Sequence, residues 1–80
     1  MDDLQIVARV GELTAEEHAL ERAHVGNPLS GAELERLRAI EVALDQCWDL
    51  LRQRRARRDA GEDPGQAAVR PKDVVEGYEQ

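Results

Sequence analysis

The chain has 80 residues, a single cysteine, no phenylalanine and a net charge of −6. That length allows one domain, and a core of this size supplies no more than roughly 3–5 kcal/mol unless it is stapled or oligomeric; one thiol excludes an internal disulfide and a four-cysteine zinc site. Charged residues at 35% and aromatics at 2% disfavour a sheet, and the acidic balance argues against nonspecific nucleic-acid binding by the chain as a whole.

The opening Met1-Asp2-Asp3 has neither the basic nor the apolar region of a secretory signal. No apolar run approaches the roughly 20 residues that span a bilayer. With a lone thiol, which fits a reducing compartment, these features predict a cytoplasmic protein without a membrane partner. Residues 3 to about 25 carry a helical stripe of Ile6, Val10, Leu13 and Leu20 at spacings of three, four and seven. Val7 flanks it, and Glu17 and His24 continue its line. Gly26, Asn27 and Pro28 break the helix: Gly26 or Asn27 can take a left-handed conformation, and Pro28 stops propagation.

Ser30 and Glu33 form a capping box that starts a second helix, predicted over about 31–60. Its stripe is Leu34, Leu37, Ile40, Leu44, Cys47, Trp48 and Leu51. A short connection makes the two helices antiparallel neighbours. With the turn near Pro28, residues whose numbers sum to about 56 should face each other. The fold class expected over residues 1–60 is therefore an all-α, coiled-coil-like two-helix hairpin. Residues 61–80 read as an extended tail, with Pro71 opening a short helix over 72–76.

Trp48 flanks the second stripe, Leu50 lies well off it, and Val7 widens the first. Apolar surface beyond the seam predicts doubling into a four-helix bundle, with a twofold dimer favoured; the alternative is a monomer capped by its own tail. The register also leaves the arginine-rich segment 54–58 overhanging the first helix with nothing opposite it.

That end is the strongest local charge feature. Arg52, Arg54, Arg55, Arg57 and Arg58 are five of the eleven basic residues, whereas residues 1–51 hold eleven acids and four bases. The arginines can complement the helix dipole, pair with Asp2, Asp3, Glu62 or Asp63, or meet a protein partner or nucleic acid. Trp48 and Tyr78 join them as candidate interaction residues. Glu17, Glu21 and His24 include a Glu-x-x-His spacing used by di-iron bundles; the competing reading is a solvated acidic helix end. Cys47 on the stripe reads as a small hydrophobe. No nucleophile elbow, phosphate loop or carboxylate dyad is present, so neither a catalytic residue nor a cofactor is expected.

The stretch Cys47-Trp48-Asp49-Leu50-Leu51-Arg52-Gln53-Arg54-Arg55, followed by Gly61-Glu62-Asp63-Pro64, Val69-Arg70-Pro71 and Val74-Val75-Glu76-Gly77-Tyr78, resembles the family called domain of unknown function 2630, small actinobacterial proteins. The resemblance covers nearly the whole chain, Met1-Asp2-Asp3 and Gln5-Ile6 included. It implies a bacterial cytoplasmic protein and transfers no catalytic or binding residue. The function expected is a self-associating structural or regulatory module that presents its arginine end and tail to another protein. The alternatives are an anion or nucleic-acid binder and a metal-binding bundle.

Overall fold

The computed structural model describes residues 1–76, and among them every regular element is helical: α1 over Asp3–Ala23, α2 over Gly31–Asp59, a 3-10 turn over Pro64–Gln66 and α3 over Lys72–Glu76. Capping chemistry sets the boundaries. Asp2 accepts the Gln5 backbone N–H while the Gln5 side chain accepts that of Asp2, each at 2.8 Å. Two of the four orphan donors of a helix start are thus satisfied. Ser30 and Glu33 repeat the device at the start of α2, with both bonds 3.1 Å.

The apolar stripe suggests that α1 continues to about residue 25, but it stops at Ala23 with His24 as its C-cap. Gly26 then turns the chain at a φ of 82°. At the far end of α2, Gly61 has a φ of 75°. Its N–H reaches the Arg58 carbonyl at 3.1 Å, and that of Glu62 reaches Arg57 at 2.7 Å. This Schellman arrangement closes the last carbonyls of the helix.

Cross-helix ion pairs fix the antiparallel register. Asp3 with Arg54 and His24 with Glu33 both sum to 57, and Glu16 with Arg36 sums to 52. Ile6, Leu13 and Ile40 are fully buried. The molecule extends 51 × 26 × 16 Å along its principal axes, a slab with room for little more than one layer of helices about 10 Å thick. No described helix is long and apolar enough to cross a membrane.

The tail returns along α2. Among the described residues, the 3-10 turn and α3 both pack on α2 and not on α1. Val75 is 3% exposed and Leu50 6%. This corrects one expectation. Leu50, off the α2 stripe, is not spare apolar surface awaiting a partner, because it is buried and the tail packs on α2.

Opposite effects of one substitution test these assignments. Gly61→Ala puts a Cβ on left-handed backbone and should cost about 1 kcal/mol, lowering the melting temperature by roughly 4–8 °C in a domain of this size. Gly11→Ala, inside α1 with nothing within 4 Å of the new Cβ, should raise it by a similar amount. Thermal circular dichroism of the two variants is the measurement.

Candidate functional site

The two long flanks of α2 differ in what they meet. One carries Gln46, Asp49 and Gln53, spaced by three and four residues and therefore on one side of the helix. Asp49 has no solvent exposure. Burying a carboxylate requires a paired, hydrogen-bonded partner, and the tail provides Arg70. Its guanidinium grips Asp49 with two nitrogens, Nε donating to Oδ2 at 2.9 Å and the terminal nitrogen to Oδ1. Gln53 Nε2 donates to the same Oδ2 at 3.0 Å and to the Ala68 carbonyl at 2.8 Å. Gln46 Nε2 donates to the Arg70 carbonyl at 3.3 Å. Arg70, and to a smaller extent Gln53, hold the Asp49 carboxyl below its ordinary range against the opposing effect of burial. The flank is a backbone clasp for the tail.

The arginine end is not the bare overhang expected from the register. Arg54, only 9% exposed, donates Nε to Asp3 and a terminal nitrogen to the Pro64 carbonyl at 3.2 Å. Arg58 meets the other Asp3 oxygen at 2.9 Å. Long side chains reach back one turn to the start of α1, and the returning tail covers what would have been open. Arg54 first and Arg58 second hold the Asp3 carboxyl low. Arg52 is also engaged. Arg55 is exposed and Arg57 half-buried.

The Glu-x-x-His spacing does not assemble a ligand set. Glu21 is exposed and Glu17 half-buried, while the His24 ring Nε2 meets the carboxylate of Glu33. Glu33 is thereby fixed from both ends of the turn, and Ser30 ahead of His24 keeps its carboxyl low. Among the described residues, no three His, Cys, Asp or Glu side chains approach closely enough to hold a metal. Cys47 is half-buried, and burial pushes its thiol up, away from the reactive thiolate.

The other flank of α2 lies about 160° round the axis from the tail clasp, at 100° per residue. It presents Leu34, Leu37, Leu44, Trp48 and Leu51. Trp48 is 50% exposed and Val7, on the adjoining edge of α1, 53%. Trp48, Leu51, Arg52 and Arg55 line a shallow groove of about 270 Å³. Tyr78 lies outside the described residues.

Sequence periodicity missed Asp49 and Arg70, because it follows apolar residues and this stripe is polar. The pattern that could have found them is Gln46, Asp49 and Gln53 on one face, with a single arginine between residues 60 and 80 to match.

A family model described as a protein of unknown function, DUF2630, matches residues 2–80. Uncharacterized proteins of Mycobacterium tuberculosis, Rv0898c, and of Mycobacterium bovis, Mb0922c, are each 54% identical over 78 residues, covering 95% of this chain and 88% of theirs. No solved structure gives a significant match.

Removing the Arg70 side chain leaves Asp49 without its cation. On the scale for breaking a buried pair, Arg70→Ala should cost the docked tail about 3 kcal/mol. Amide exchange at Val74 and Val75 should accelerate by two orders of magnitude or more, while Ile6 and Ile40 amides keep their protection. Acid should act in the same direction. Asp3, Glu16, Glu33 and Asp49 are all held below their ordinary values of 3.8 for Asp and 4.5 for Glu. Their contribution is complete above those values and is lost as pH falls below them. Melting temperature should be level from about pH 7 to 5 and drop below about pH 4, with a smaller drop in Asp49→Asn.

Proposed function

We propose that this chain, which belongs to the DUF2630 family of proteins of unknown function, is a non-enzymatic, self-associating helical module of the cytoplasm. One observation carries the reading. The chain covers one flank of α2 with its own tail and leaves Trp48 half exposed in the middle of the other. Tryptophan is among the residue types enriched at the energetic centres of interfaces. The monomer also has little core of its own: Ile6, Leu13, Ile40, Leu50 and Val75 are its buried apolar side chains among the described residues. A small core is the situation in which oligomerisation supplies the missing burial.

Two further features support a protein-facing role over a phosphate-facing one. Arg54 and Arg58 are committed to Asp3, which removes charge that a nucleic-acid backbone would need. The Gln46, Asp49 and Gln53 side chains are spent on holding the tail. A half-buried free thiol at Cys47 suits a reducing compartment.

Sedimentation equilibrium of the full chain is the test. The wild type should sediment at twice its 9.0 kDa mass at tens of micromolar. Trp48→Lys should weaken association by at least thirtyfold, on the scale of a central anchor worth about 2 kcal/mol or more, with helicity unchanged. A wild type at 9.0 kDa throughout that range would overturn the reading.

A further inference from the structure

The exposed flank of α2 has a charge order that constrains how a second copy can sit on it. Along Leu37, Glu41, Leu44, Trp48, Leu51 and Arg55 the spacing alternates between four and three, the repeat of a helix–helix seam. Three of these positions, Leu37, Leu44 and Leu51, are half-buried while Trp48 is half exposed. Their row therefore lies at the edge between the side of α2 packed on α1 and the open flank, and α2 carries two adjoining seams, of which α1 fills one. The unfilled seam is apolar at its centre. It is acidic towards the start of α2, where Glu41 is joined by Asp45, and basic towards the end, where Arg55 is joined by Arg52.

Glu41 lies seven residues before Trp48 and Arg55 seven residues after it. Both are exposed, and neither has an ion pair among the described residues. The flank is therefore antisymmetric in charge about Trp48. Such a surface is complementary to itself under a twofold axis, as an isologous interface requires.

From this, and resting on the self-association proposed above, we infer that the second copy docks with its α2 antiparallel to the first, about a twofold axis within one turn of Trp48. The acidic arm of each α2 then lies against the basic arm of the other, and the two Glu41–Arg55 crossings form together. A parallel pairing would set Glu41 against Glu41 and Arg55 against Arg55, which like-charge repulsion disfavours. The partner's Trp48 falls near this chain's Leu44, Trp48 and Leu51, so the apolar centres coincide. Val7 of each α1 flanks that centre, and the two hairpins become a four-helix bundle. A standard interface of about 800 Å² per partner would take one seventh of the 5600 Å² that the chain exposes. Both tails remain outside, on the far flank of each α2.

Charge reversal separates this geometry from the others. The full chain is prepared as wild type, Glu41→Arg, Arg55→Glu and the double variant, each checked for helicity by circular dichroism. Their dimerisation constants are then measured by sedimentation equilibrium at about 50 mM salt, where screening is weaker than at physiological ionic strength. Each single reversal places like charges together at both crossings and should weaken the dimer about tenfold or more. The double variant restores both and should recover to within about threefold of wild type. Equal constants for all four proteins would overturn the antiparallel geometry while leaving self-association intact. Single variants that weaken association without recovery in the double variant would also overturn it. A wild type that stays monomeric would remove the inference together with the reading it rests on, and assign the flank to a different partner.

Discussion

A carboxylate taken wholly out of water must be given a cation and hydrogen bonds, or it takes up a proton. Asp49 is in that position, in the middle of the longest helix of the chain. Its cation is twenty-one residues further along, on a segment with little apolar surface. Meeting this demand at Asp49 is what brings residues 61–76 back along α2. With the tail there, Leu50 and Val75 find cover, the Pro64 carbonyl reaches Arg54, and one side of α2 is finished. The same demand leaves the opposite side open, because a tail pinned behind α2 cannot also wrap its front.

The sequence made some of this legible and hid the rest for physical reasons. The long helices were readable because their apolar residues repeat at helical spacing and because Ser30 and Glu33, three residues apart, specify a start independently of any packing. Gly61 marked the end of α2 because only glycine relaxes there without strain. The cap at Asp2 is less visible, since Gln5 replaces the more usual glutamate, although the stripe itself places the start of α1 at about residue 3. Leu50 misled, because a residue off the seam looks spare until a second contact surface is known. Asp49 was the largest omission. A polar residue with helical neighbours on both sides reads as solvated, and nothing in its local spacing announces a partner beyond residue 61.

The arginine end shows a different difficulty, one of reach. Counting residue against residue across a hairpin aligns Cα atoms, but an arginine extends well past its own Cα. Arg54 and Arg58 therefore share Asp3 although they stand a full turn apart. Charge clusters at helix ends are consequently poor guides to open binding surface. In this chain the acid that answers them opens α1, and the negative charge of that first turn also suits the helix dipole.

The cross-helix ion pairs, finally, order the events by which the chain assembles. His24 and Glu33 are nine residues apart, whereas Asp3 and Arg54 are fifty-one apart. From an unstructured chain, closing the longer loop costs about 1.5 kcal/mol more in entropy than closing the shorter. The connection at Gly26 is thus the natural nucleus. Each turn of helix added beyond it shortens the loop that the next contact must close, as in a zipper. Glu16 and Arg36 fall in the middle of that progression, and Asp3 with Arg54 at its end. The tail has short loops of its own to close, since Pro64 lies ten residues from Arg54 and Ala68 fifteen from Gln53, so by the same entropy its docking on α2 does not wait for the far end of the hairpin to shut.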